Sequence, residues 1–268
     1  MTISSTSRDP ARPASWPSAP APGDVGALVL RAHRLLFGHF RTFVGLLALP
    51  HAVGFVLVLV ALRGSPRALV LPLLAAWGAV YLAAWAALIW AIREAIEGRR
   101  VGVLRALRQV TPGVLGRLLL THLLAVVLLS LLVLALTILV TLAVPLGAPL
   151  AALLLAAGAV LIVSAWLLPV LFLPQIVILE GSGGLAALAR GRALVAGRRW
   201  RILGFWALFT LLEGLVSWGF SAWPPVQAFA QLVIAPVGAI WVTLLYAEGP
   251  PPSGAGPGPR QGEGSRWS

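Results

Sequence analysis

The sequence predicts an all-α fold, an integral membrane bundle of about six transmembrane helices. Its composition is 59% hydrophobic and only 10% charged, with a mean hydropathy of +0.95, whereas soluble domains are roughly 45–50% apolar and about 25% charged. A helix needs about 20 mostly apolar residues to cross a bilayer, and six windows of the chain reach that length. They are 39–62, 68–92, 113–144, 149–179, 201–222 and 227–247.

The third and fourth windows are longer than a bilayer requires, so we expect these helices to tilt or to extend beyond the hydrocarbon. Pro169 and Pro174 lie near the end of the fourth window. Because proline removes a helical hydrogen bond, the two residues predict a kink there.

Polar segments rich in proline, glycine or serine flank the apolar windows. Residues 1–23 and 248–268 are predicted to be disordered cytoplasmic tails on either side of a transmembrane domain at 24–247. The first tail contains no apolar core, so we do not expect it to be a cleavable signal peptide.

The positive charges indicate how the chain is threaded through the membrane. All 20 basic residues are arginines, and eighteen of them fall in segments on one side of the six-span arrangement, against Arg63 and Arg67 on the other. Since basic loops stay in the cytoplasm, both termini are predicted to be cytoplasmic. The absence of lysine and asparagine, with abundant alanine, glycine and proline, indicates a GC-rich bacterial genome and therefore the bacterial inner membrane.

Three similar basic strings predict a repeated architecture. L-R-A-x-R begins at Leu30 and again at Leu104, and L-A-R-G-R begins at Leu188. Each string comes just ahead of two apolar windows, which predicts three hairpins, each preceded by a short amphipathic basic interfacial helix. Coincidence is the alternative, because leucine, alanine and arginine are all common in this chain.

Helix-capping residues fit these boundaries. Asp24 is placed to cap the first short helix and Gly38 to end it, while Thr111 and Pro112 form a favourable start for the third span. Gly197 is placed to end the third short helix.

The third short helix, which should begin near Gly184, is imperfectly amphipathic. Its apolar face is predicted to contain Leu185, Leu188 and Val195, and to lie in the membrane interface. Arg192 falls within that apolar arc, so its guanidinium must extend to the headgroups or form an ion pair. Glu180 is the candidate partner.

The last third of the chain resembles a known family. The run "LPQIVILEGSGGLAALARGRALVAGRRWRILG", followed later by "APVGAIWVTLLY", is similar to the YciC-like and glycerophosphodiester phosphodiesterase membrane-domain group. The resemblance implies a membrane domain, which in some relatives is joined to a phosphodiesterase barrel that we do not expect in this chain. Gly191-Arg192 and the segment after Tyr246 depart from the family pattern. The matching positions are Pro174, Glu180, Gly181, Leu188, Leu194, Gly197, Trp200, Gly204, Pro236 and 243–246.

A polar stripe in the fifth span is the candidate membrane site. Glu213 lies near the middle of that span, and Thr210, Ser217 and Ser221 fall on the same helical face. A charge at that depth costs about 3 kcal/mol on insertion scales, which the apolar residues of the span can offset. The stripe therefore fits either a protonatable polar site or a structural glutamate held by hydrogen bonds.

No pattern in the sequence predicts catalysis, a cofactor or a metal. Cysteine is absent, and no nucleophile elbow, phosphate-binding loop or dinucleotide fingerprint occurs. His51 and His122 lie inside spans without the spacing of a metal motif, and His33 and His39 lie near a cytoplasmic end. The clustered charge indicates membrane orientation, so we expect no nucleic-acid partner.

The basic segments are the candidate lipid contacts. We expect a non-enzymatic membrane protein whose partners are membrane lipids or another membrane protein. The alternatives are a small transporter or permease that uses the polar stripe around Glu213, and a membrane subunit of a phosphodiesterase system. The candidate headgroup contacts are Arg31, Arg34, Arg105, Arg108, Arg190, Arg198, Arg199 and Arg201.

Overall fold

The computed structural model describes residues 25–62, 67–162 and 166–250, and throughout these ranges the regular structure is helical. A 3₁₀ turn at Val144–Leu146 and a π-helical turn at Ile176–Glu180 interrupt the α-helices. The helices are α1 (Val25–Gly38), α2 (Phe40–Leu62), α3 (Arg67–Ile96), α4 (Val103–Arg108), α5 (Pro112–Ala143), α6 (Ala148–Ile162), α7 (Leu168–Val170), α8 (Leu173–Gln175), α9 (Gly184–Val195), α10 (Arg199–Gly219) and α11 (Pro224–Ala247). The all-α prediction is confirmed.

Five described helices are long and apolar enough to cross a membrane. These membrane spans are Phe40–Leu57, Pro72–Ile96, Pro112–Ala143, Arg199–Gly219 and Phe229–Ala247. They correspond to five of the six predicted windows. The chain is therefore a multi-helical membrane bundle.

The fourth window, predicted as one long kinked span, is broken into several pieces. α6 carries its first half, and turns interrupt the α-helix between Leu168 and Glu180. This part of the chain, which we call the broken segment, meets α9 at an angle of 115°. Pro169 and Pro174 each lack the backbone N–H that would continue the hydrogen-bond ladder, and Gly181 then ends the segment in the left-handed conformation at φ +72°. Residues 163–165 lie outside the described part of the chain.

The long helices pair as antiparallel hairpins. In the first hairpin, Trp77 Nε1 of α3 donates a hydrogen bond to the Pro50 carbonyl of α2 at 2.9 Å. Gly54 makes this approach possible, because a Cβ there would stand 2.9 Å from the same indole nitrogen. α5 pairs with α6, and α10 with α11. Each pair follows one of the short helices α1, α4 and α9, which is the predicted order of elements.

Three of the predicted helix boundaries are visible in the structure, and the first of them is Gly38, where α1 ends as predicted. Thr111 caps α5, its hydroxyl accepting from the Val114 N–H at 3.4 Å, and Pro112 is the first residue of the helix. Gly197, at φ +74°, follows the end of α9. Asp24, predicted to cap α1, lies outside the described residues, as do both predicted tails except 248–250.

The buried core lies at one end of the bundle, which we call the basic end. It consists of α1, α4 and α9 together with the first turns of α2, α5 and α10, the last turns of α3 and α11, and residues 166–180. Only 6% of the Pro112–Ala143 span is buried inside the protein, against 44% of Phe229–Ala247. The second hairpin therefore presents most of its apolar surface to its surroundings, as a lipid-facing hairpin does.

α9 packs into the core through a face that only partly overlaps the predicted one. Leu188 and Val195 are buried as predicted, together with Gly191 and Leu194, whereas Leu185 is 68% exposed. The reason is a close contact at Gly191, where a Cβ would stand 2.7 Å from the Pro169 carbonyl oxygen. Only glycine allows the α9 backbone to come this near to the broken segment.

Candidate functional site

The basic end gathers nearly all the charge of the described chain. Among the described residues it holds fourteen arginines and four glutamates, so positive charge is in excess even after every possible one-to-one pairing. The arginine–glutamate ion pairs therefore determine which arginines remain available to a ligand.

Glu180 is the centre of a buried polar cluster. It accepts hydrogen bonds from Arg190 Nε at 2.8 Å and from the Tyr246 hydroxyl at 2.7 Å. The Arg190 and Glu180 side chains are only 11% and 9% exposed, and Arg190 also donates to the Pro250 carbonyl at 2.6 Å. This cluster joins the π-helical turn, α9 and the C-terminal end of α11.

The candidate partner for Arg192 was wrong, because Glu180 pairs with Arg190 instead. Arg192 lies over the Trp166 ring, with its guanidinium carbon 5.4 Å from the ring centroid. This is a cation–π contact.

Glu248 joins α10 to α11 through two arginines. Arg201 Nη1 lies 2.9 Å and Arg198 Nη2 lies 3.3 Å from Glu248 Oε2. Burial lowers the pKa of the Arg198 guanidinium from its ordinary value, and the Glu248 carboxylate opposes that shift. Glu248 is thus part of the folded bundle, although the sequence placed it at the start of a tail.

The last two glutamates of the basic end pair near the end of α3. Arg93 lies 3.0 Å from Glu97, and Arg99 is paired with both Glu94 and Glu97. The hydrogen bond to Glu94 is the main cause that raises the pKa of Arg99. Arg117 is held differently, by donating to the Gly181 carbonyl at 2.9 Å.

Nine arginines at the basic end have no carboxylate partner among the described residues, and two of these, Arg117 and Arg192, are held by a carbonyl and an aromatic ring instead. We call the other seven the free arginines, and most of them are well exposed. Five of the eight candidate headgroup contacts belong to this set, whereas Arg190, Arg198 and Arg201 are engaged in the ion pairs described above. The free arginines are Arg31, Arg34, Arg41, Arg100, Arg105, Arg108 and Arg199.

The predicted polar stripe of α10 divides into two parts. Thr210 and Ser221 are exposed, and the Ser221 hydroxyl donates back to the Trp218 carbonyl at 2.8 Å. Glu213 and Ser217 are half-buried on the side of α10 that faces α11, where Ser217 accepts a hydrogen bond from Gln227 Nε2 at 2.9 Å. No described residue forms a hydrogen bond or ion pair with Glu213.

The histidines inside the spans are bound to their own helices. The Nδ1 atoms of His51 and His122 lie 2.7 and 2.8 Å from the carbonyl oxygens of Leu47 and Leu118, one turn earlier. In the parts of the chain that the structure describes, no three histidine or acidic residues come close enough to hold a metal ion. His51, His122 and Glu213 therefore do not form such a group.

Comparison with family models, with curated proteins and with solved structures finds no match for this chain. The resemblance to the YciC-like group therefore stays a prediction.

For two further polar residues, Tyr246 and Gln231, no structural role was predicted from the sequence. Tyr246 was noted only as a position matching the family, yet it donates to the buried Glu180. Gln231 lies on the face of α11 that carries Gln227 and approaches α10. Gln227 and Gln231 lie one helical turn apart inside an apolar window. This spacing was the sequence feature that could have predicted a polar face on α11.

Proposed function

We propose that this chain is a non-enzymatic multi-pass protein of the bacterial inner membrane that binds anionic phospholipid headgroups at its basic end. In this proposal the basic end and both termini face the cytoplasm, as the distribution of arginines predicts. The free arginines are the residues that would contact the phosphates.

Ion pairing at the basic end supports this proposal most directly. All four glutamates described there are already paired with arginines inside the protein, so no carboxylate of the described basic end is left to pair with the free arginines. Guanidinium groups bind phosphate oxygens well, because their planar fork donates two parallel hydrogen bonds. Each such residue near an anionic leaflet is worth about 1 kcal/mol.

The aromatic residues support the same placement of the basic end at a membrane surface. Trp200 follows Arg199 directly and is 85% exposed. Trp223, just before α11 at the other end of the α10–α11 hairpin, is 68% exposed. Exposed tryptophans at both ends of a span are typical of the two membrane interfaces.

Arg105 and Arg108 of α4 provide the test. In the variant Arg105→Gln with Arg108→Gln, binding of a fluorescent anionic phospholipid to the protein in neutral detergent micelles should weaken by about 30-fold, which corresponds to about 2 kcal/mol. The binding constant is measured by competition with the unlabelled lipid. It should also weaken as salt is added, because these arginines are exposed.

The matched control is Arg63→Gln with Arg67→Gln, which removes the same charge near the opposite end of the first hairpin. This variant should bind the lipid as the unchanged protein does. An equal loss in both variants would mean that only net charge matters. Unchanged binding in the Arg105 and Arg108 variant would contradict the proposal.

A further inference from the structure

A second polar region lies in the middle of the membrane spans, far from the basic end. Glu213 is fourteen residues after the start of α10, and Tyr81 is fifteen residues before the end of α3. At 1.5 Å per residue, both lie about 21–23 Å from the basic ends of their helices. The two side chains are therefore at one depth in the bundle, on two helices, α3 and α10, that both pack against α11.

The packing of α10 on α11 brings a third polar residue to this depth. Ser217 is hydrogen-bonded to Gln227, and Phe209 contacts Gly238 so closely that a Cβ at the glycine would stand 2.6 Å from the phenyl ring. Glu213 lies midway between Phe209 and Ser217 on the same face of α10. The antiparallel register consequently places Gln231 opposite Glu213.

The side chains of Glu213 and Gln231 are half-buried and have no hydrogen-bond partner among the described residues. A polar group within the hydrocarbon costs free energy when nothing satisfies it. Elsewhere in the described chain the glutamates are paired with arginines, so the unpaired carboxylate of Glu213 is exceptional.

A row of aromatic side chains on α3 makes this region favourable for binding a cation. Trp77, Tyr81 and Trp85 follow one another at intervals of one helical turn, with centroid separations of 5.8 and 6.3 Å. The faces of tryptophan and tyrosine rings attract cations, most strongly where water is excluded. A carboxylate beside such a row favours an organic cation with apolar substituents, which can also enter from the lipid.

We propose that Glu213, Gln231 and Tyr81 form a binding site within the membrane for a lipophilic organic cation. Glu213 supplies the charge, Gln231 supplies an amide oxygen as acceptor, and the ring of Tyr81 supplies a π face. This site is independent of the headgroup binding proposed above, because none of its residues belongs to the free arginines.

The probe for this site is tetraphenylphosphonium, and its binding is measured with the full-length protein in nanodiscs of neutral lipid. Neutral lipid keeps the probe from collecting at anionic headgroups, so the result does not depend on the basic end. The unchanged protein should bind the probe saturably. Glu213→Gln, which keeps the size of the side chain and removes its charge, should weaken binding at least about 10-fold.

Two further variants separate charge from general disturbance of α10. Glu213→Asp should retain most of the binding, and Thr210→Val, at an exposed position on the same helix, should bind as the unchanged protein does. Equal binding by the Glu213→Gln variant would overturn the proposal. So would a failure of the unchanged protein to bind the probe above the level of empty nanodiscs.

Discussion

Gly191→Ala is expected to destabilise the bundle by about 1–3 kcal/mol, the range for an overpacked interior. The new methyl group would stand 2.7 Å from the Pro169 carbonyl oxygen. Because the contact joins two backbone segments, neither can move aside as a flexible side chain would. The loss should appear even though alanine favours a helix over glycine by up to about 1 kcal/mol. Titration with a denaturing detergent, followed by tryptophan fluorescence, measures the free energy of unfolding.

Gly204→Ala is the matched control for this substitution. Gly204 also lies within a helix, but a Cβ there would meet nothing within 4 Å. The variant should be unchanged in stability or slightly more stable. If Gly191→Ala behaves as Gly204→Ala does, the close contact between α9 and the broken segment is not important for stability.

Arg190→Met should destabilise the protein by about 3–5 kcal/mol, which is typical when one partner of a buried ion pair is removed. Glu180 would lose its arginine partner and keep the hydrogen bond from the Tyr246 hydroxyl, in a cluster whose two charged side chains are about 10% exposed. The hydrogen bond from α9 to the Pro250 carbonyl would be lost as well. The same unfolding titration measures the effect.

The double variant Arg190→Met with Glu180→Gln separates the pair from the packing around it. Removing both charges leaves no unpaired carboxylate in the core, so the double variant should recover a large part of the lost stability. If instead the losses of the two single variants simply add, Glu180 and Arg190 do not stabilise each other. Arg105→Gln is the comparison at an exposed position, and it should change stability by less than about 0.5 kcal/mol.

Local chemistry predicted much of the fold. Apolar windows of sufficient length marked the five spans, and Thr111 with Pro112 marked the start of α5, because these signals are contained within short segments. The break of the fourth window could not be placed in the same way. Pro169 and Pro174 indicated a kink, but the direction of the chain after it depends on the contact of Gly191 with Pro169 across the fold.

The pairing of Glu180 shows why the buried cluster was only half predicted. Successive residues of a helix are about 100° apart, so Arg190 and Arg192 lie on opposite flanks of the buried Gly191. One flank meets Glu180 and the end of α11, and the other meets Trp166. The sequence contained both arginines, but only the packing of α9 decides which flank meets which neighbour.

In the proposed topology the basic end faces the cytoplasm and the opposite ends of the hairpins face outward. The chain contains no cysteine, so single cysteines introduced at Gln109 and Ser182, or at Ser65 and Ser221, can be labelled in intact cells by a maleimide that does not cross the membrane. We expect labelling of Ser65→Cys and Ser221→Cys in intact cells, and of Gln109→Cys and Ser182→Cys only after the cells are opened. The reverse pattern would contradict the proposed orientation, and labelling of all four positions in intact cells would contradict the membrane threading itself.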